Sequence, residues 1–136
     1  MKYLFCALVA AVFILTGCQG DETVRAYGAA DRTWRLVELD NASVIYDATL
    51  TFPETGQIAG KAPCNAYGAT MAVPYPWFEA GPIAATRLAC PDLDAEIAYF
   101  TALTQMSLSE VLGDTLLLSN DEGRIMVFKA DGLTLR

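Results

Sequence analysis

Histidine is absent from the chain. That removes the usual base for serine or cysteine hydrolysis and the commonest nitrogen ligand of a transition metal. Basic residues are scarce as well, 9 Lys and Arg against 16 Asp and Glu, for a net charge of −7. So acidic a chain lacks the basic face that phosphates require, which excludes nucleic acid as a partner and argues against electrostatic docking on anionic lipid. Beyond Lys2 the only lysines are Lys61 and Lys129, and neither lies near a serine in sequence, so a Ser-Lys pair finds no local support. No glycine loop that would cradle a phosphate, no nucleotide fingerprint, no internal repeat and no low-complexity segment is present. After the N-terminal segment no apolar run approaches the length of a membrane span. No residue set declares a reaction, and a non-catalytic protein without metal or cofactor is expected.

What is there begins at the N-terminus. After Lys2 the apolar run Tyr3 to Thr16 has the length of a signal h-region and is too short to span a bilayer as a helix. It closes on Leu15-Thr16-Gly17-Cys18, which resembles the bacterial lipobox. The resemblance implies removal of residues 1–17 and a Cys18 carrying diacylglycerol on sulfur and an acyl group on its amine, a stable multi-chain anchor. Gln19 stands where an Asp would resemble an inner-membrane retention signal. The expectation is therefore a lipid-anchored envelope protein on the outer membrane, facing the periplasm. The remaining 119 residues, with net charge −8, suffice for one domain with its own core.

Cys6 leaves with the signal and Cys18 is the lipid site, so Cys64 and Cys90 remain in an oxidising compartment. A disulfide between them is expected, closing a loop of 27 residues and stabilising the fold by roughly 3–4 kcal/mol on the chain-entropy model. A metal pair or a reactive thiol has neither a histidine nor a third nearby thiolate in its favour.

The small, polar, aperiodic residues of 18–32 read as the lipidated cysteine and its tether, leaving 33–136 as the folded domain. Alternation predicts a strand over 33–39, and β-branched and aromatic residues predict another over 43–52, ending at Pro53. Glu54-Thr55-Gly56 then turns the chain into 57–60. A loop covers 61–65, and strands are expected over 67–73 and 77–80, with Pro74 and Pro76 confining the link to an edge or turn. Pro91-Asp92 opens a helix over about 92–107, with Leu93, Ile97, Phe100, Leu103 and Met106 at helical spacing and Asp92, Asp94 and Glu96 in its solvated first turns. A β-meander follows, turning at Gly113-Asp114 and at Asn120 to Gly123. The class is α+β and mainly β, with about 7–8 strands and one packed helix.

Trp34 and Leu36, then Gly60-x-x-x-Cys64-Asn65-x-Tyr67-Gly68, then Thr86-x-x-x-Cys90 with Glu96 and Phe100, and last Leu116-x-Leu118 before Met126-x-Phe128 form an ordered set. Together they resemble the META domain, the family of the HslJ heat-inducible lipoprotein, over roughly 33–129. The resemblance implies a small antiparallel sheet curled into a partly open barrel with a helix packed on it, and no known catalytic activity. It also implies an association with envelope stress and heat response. The Pro-rich link Val73 to Trp77 departs from the family pattern.

Gly60 and Gly68 read as positions of special backbone geometry, and Asn65 as a residue tolerant of a left-handed turn or bonded to its own backbone. Asn65 and Tyr67 are either a structural corner or the lining of a ligand site. Tyr75, Trp77 and Phe78 form a Pro-stiffened aromatic cluster that is either a core lid or a contact surface for a partner or lipid. The expected function is binding or supporting envelope components under stress, as a monomer. Two rivals stand beside it: a carrier whose barrel interior, lined by Trp34, Tyr67 and Phe100, holds an acyl chain or small apolar ligand, and a chaperone-like or pilot module presenting a sheet edge or groove to a protein.

Overall fold

Asp40 and Asn41 both take left-handed backbone angles, φ 50° and 66°, and so fold strand β1 (Trp34–Leu39) sharply back into β2 (Ala42–Ser43). The computed structural model describes residues 20–131. Cys18, the segment read as a signal, and 132–136 lie outside the described residues. Within them the chain continues through β3 (Thr49–Leu50), β4 (Gly56–Lys61), β5 (Ala66–Met71), β6 (Ala84–Ala85), helix α1 (Leu93–Gln105), β7 (Leu108–Leu112), β8 (Thr115–Ser119) and β9 (Ile125–Ala130).

Every pairing is antiparallel. The larger sheet runs β2-β1-β9-β8-β7, with β3 also on β1, and the smaller runs β4-β5-β6. A single bridge, Thr51 to Ala59, joins them, and another, Trp77 to Leu108, ties the link between β5 and β6 to β7. The result is the expected mainly β, partly open architecture, built from two sheets rather than one curled sheet. Gly113 and Gly123, at φ 60° and 82°, sit in the two turns of the β7-β8-β9 meander as their sequence context predicts.

Trp34 and Leu36 of β1, Leu116 and Leu118 of β8, and Met126 and Phe128 of β9 point inward and are almost wholly buried, as period-two alternation requires. Leu50 of β3 joins them from the same sheet, Ile58 and Met71 meet them from the smaller sheet and Phe78 from its link, and Tyr99, Ala102 and Leu103 close the layer from α1. Each large apolar side chain so buried contributes roughly 1.5–3 kcal/mol.

Four expectations need correction. The strand expected over 43–52 is broken into β2 and β3 because Ile45 is fully exposed and the chain loops out to bring Ala48 beneath Leu36, whose N–H donates to the Ala48 carbonyl. The strand expected over 77–80 is reduced to the one bridge at Trp77, because the Trp77 N–H closes a turn onto the Pro74 carbonyl and by Gly81 the chain has turned to bond Thr70 of β5. Residues 21–32 are not a loose tether: a 3-10 turn at Val24–Tyr27 buries Val24, Ala29 lies under the Trp34 indole, whose N–H donates to the Ala29 carbonyl at 3.0 Å, and Arg25 reaches the Phe52 carbonyl. The helix packs Phe100, Leu103 and Met106 of its expected apolar stripe against the core but not the first two members. Leu93 and Ile97 are exposed, while Glu96, Tyr99, Ala102 and Leu103 face the core.

Candidate functional site

Glu96 sits one turn into α1 and is buried, although the sequence reading places it in solvent with Asp92 and Asp94, which are indeed exposed. The reason is three donors. Its Oε1 accepts the backbone N–H groups of Cys64 and Asn65 at 3.0 and 2.7 Å, and its Oε2 accepts the Asn65 side-chain amide at 2.7 Å. Asn65 is likewise saturated. Its amide also donates to the Leu88 carbonyl, and its Oδ1 accepts the Thr86 hydroxyl and the Leu88 N–H at 2.9 and 2.6 Å. Two donors and two acceptors are the whole capacity of an asparagine side chain. The Cys64–Cys90 disulfide, with Cα atoms 5.6 Å apart, ties the same two loops covalently. Asn65 thus crosses between loops; it is absent from the left-handed positions, and the bond to its own backbone that the sequence suggests is not made.

Tyr67 lies beside this knot. Its hydroxyl donates to the Thr49 carbonyl at 2.7 Å and accepts from the Tyr99 hydroxyl, also at 2.7 Å. Burial pushes both phenols up from their ordinary value. Phe100 packs edge-on against Tyr67, ring centroids 5.3 Å apart. Gly60 is required by this close approach, since a Cβ there would collide with the Thr49 carbonyl, whereas one at Gly68 would make only ordinary contact, 3.5 Å from the Ile58 carbonyl. Among the described residues no buried side-chain polar atom lacks a partner and no cluster of acidic or thiol groups is shaped to hold a metal. Chemically the knot is closed: its carboxylate, amide and phenols are all committed to one another.

The aromatic link behaves differently. Phe78 is buried in the core, but Trp77 is 57% exposed and Tyr75 is half-buried, stacked at 4.6 Å on the exposed ring of Tyr27. Phe78 N–H bonds the Ser107 carbonyl and Ser109 N–H bonds the Pro76 carbonyl, and these bonds pin residues 73–78 as a strap along the edge of β7. An open groove lies on either side of it. One, of about 360 Å³, is lined by Val73, Pro74, Trp77, Phe78 and Met106 among others. The other, of about 530 Å³, runs from Tyr75 and Pro76 over Leu108, Leu117 and Ile125 on the outer face of the meander.

The sequence profile of the META domain matches residues 28–132. The chain belongs to the META domain family. Three solved structures share the fold of this META domain. One, from Burkholderia xenovorans, was determined by NMR; it is 25% identical, with 79% of this chain and 87% of that one covered and a TM-score of 0.64. A DUF4847 family protein from Bacteroides vulgatus ATCC 8482 is 14% identical over 76% of this chain and 95% of its own, with a TM-score of 0.60. A further NMR structure is 18% identical over 72% of this chain and 87% of its own, at 0.55. No curated protein sequence matches significantly. None of these names indicates a catalytic activity.

In this META domain the family-like residues from the middle of the chain, Gly60, Cys64, Asn65, Tyr67, Thr86, Cys90 and Glu96, converge on the knot. Sequence reasoning missed the roles of Glu96 and Tyr99 there, and the place of Glu96 in the ordered set is the signal that pointed to it. Tyr27, the third member of the exposed aromatic group, left no signal: its partner Tyr75 is remote in sequence.

Proposed function

We propose that this chain is a lipid-anchored, non-catalytic lipoprotein of the bacterial envelope, tethered through Cys18 at the outer membrane, whose META domain binds or supports envelope components under stress through its surface. The observation that carries the reading is the contrast between a closed interior and an open strap. Trp34, Tyr67 and Phe100, which an interior carrier site would need as its lining, are packed against neighbours or hydrogen-bonded to the backbone. The uncommitted apolar surface lies instead beside Tyr75 and Trp77. A saturated knot of carboxylate, amide and phenol has no free group to act as acid, base or nucleophile. Native mass spectrometry of residues 19–136, exported behind a cleavable secretory signal and purified from a bacterial periplasm, tests this. A clean apo mass is expected; lipid-sized adducts that persist on dilution would favour the carrier instead.

A further inference from the structure

The point at which the chain leaves the fold toward Cys18 is fixed beside the aromatic strap. Asp21 is held by the Thr23 N–H and hydroxyl at 2.9 and 2.6 Å, by the Thr55 hydroxyl at 3.2 Å and by an ion pair with Arg25. Glu22 offers its carbonyl to the N–H of Tyr75 at 2.7 Å. Cys18 precedes Asp21 by three residues, so even a fully extended chain lets it reach only about 11 Å from there, at ~3.3–3.6 Å per residue. Lipid chains on Cys18 would bring the bilayer surface to the region of Tyr75.

That region has the composition of a membrane interface. Tyr27 and Trp77 are more than half exposed, and the Tyr75 ring is stacked on that of Tyr27. The strap Val73 to Phe78 carries no charge. Tyrosine and tryptophan rings favour the headgroup level, where an apolar body and a polar tip are both satisfied. A domain with an excess of acidic residues gains nothing from attraction to anionic lipid; the aromatic strap, itself without charge though flanked by the exposed Glu22, Glu79 and Glu110, is the apolar surface it can lay on a zwitterionic bilayer. We infer that Tyr27, Tyr75 and Trp77 seat the domain on the phospholipid headgroup region, fixing its orientation rather than leaving it free on a tether. The inference rests on the lipidated Cys18 proposed above.

Tryptophan fluorescence of the full chain, extracted from bacterial membranes and reconstituted into phosphatidylcholine vesicles, reads this directly. Trp34 is fully buried and serves as the internal reference. With lipid brominated in the upper acyl region, the Trp77 share of the emission is expected to be lost, and Trp77→Phe abolishes that loss; being exposed, the site tolerates the change. An intact mass showing lipidated Cys18, together with Trp77 emission that stays quenchable by aqueous iodide and not by bromolipid, overturns the seating alone and leaves the strap to a protein partner. A mass showing unmodified Cys18 overturns the anchor and the seating with it.

Discussion

Replacing Glu96 by glutamine changes one atom of the knot, and the structure fixes what that atom does. The Gln carbonyl can still accept the Cys64 and Asn65 N–H groups, but its NH2 now faces the Asn65 amide across 2.7 Å. A charge-assisted bond worth about 1.5–3 kcal/mol is replaced by two opposed donors in a buried site, which adds about 1–3 kcal/mol for the unmet donor. A loss of about 3 kcal/mol is expected, a large share of the roughly 5–15 kcal/mol that holds a domain together. Urea unfolding followed by circular dichroism would show a lower midpoint at an unchanged slope, with Tm falling by about 12 °C. Adding Asn65→Asp supplies an acceptor opposite the new NH2 while keeping an oxygen for Thr86 and Leu88, at the cost of turning the 3.2 Å bond to the Leu88 carbonyl into a contact of two acceptors. The double variant should therefore be more stable than the sum of the two single losses predicts. A Glu96→Gln protein within about 0.5 kcal/mol of wild type, a typical effect for a surface substitution, would refute the reasoning.

Gly60→Ala forces a methyl into the Thr49 carbonyl and should cost about 1–3 kcal/mol, whereas Gly68→Ala, with room for its methyl, should be neutral or slightly stabilising; thermal melts of the pair separate close approach from mere strand position. Reduction of the Cys64–Cys90 disulfide should lower stability by roughly 3.5 kcal/mol for its loop, measured by unfolding with and without reductant, and a thiol titration that finds both cysteines free in the native protein would overturn the pairing. The phenols of Tyr67 and Tyr99 are raised in the folded state, so their contribution is intact below the unfolded value of about 10 and lost as pH rises above it; absorbance at alkaline pH should show these two ionising only as the fold is lost. The Arg124 guanidinium bonded to Asp40 at 2.8 Å, with the Ile125 N–H, holds that carboxyl below its ordinary value despite some desolvation. Its stabilising effect is present above the unfolded pKa of about 3.9 and lost as pH falls below it. An NMR titration should place the Asp40 midpoint below that value, with Arg124→Gln bringing it back.

Local chemistry that the sequence carries openly survived into the structure. The meander after α1 is legible because Gly113 and Gly123 supply the positive φ its turns need and Leu116, Leu118, Met126 and Phe128 alternate inward. The start of α1 is legible from Pro91 and the acidic first turn. Its core-packed face is legible at Phe100, Leu103 and Met106 but not in the first turns, because periodicity weighs Leu93 and Ile97 as apolar and Glu96 as polar. What turns the helix is tertiary: three donors from the 64–65 loop reward burying Glu96, and the Thr49 carbonyl and Tyr67 receive the Tyr99 hydroxyl. Residues 21–32 read as a tether since they are small or polar and aperiodic, yet Val24 and Ala29 are buried against β7 and Trp34, partners that local composition does not contain. The strap shows the same limit. Its prolines and aromatics mark it as special, but only the fold tells Phe78, a core residue, from Trp77, an exposed one.

The anchor at Cys18 decides most, because the proposed place of the domain in the envelope and its seating on lipid both follow from it. Intact mass of the full-length product, extracted with detergent from the membranes of a bacterial host, tests it most directly. The prediction is a chain that begins at Cys18 and carries a diacylglyceryl group and an N-acyl group. A chain that retains residues 1–17, or that begins with an unmodified residue 18, would contradict it.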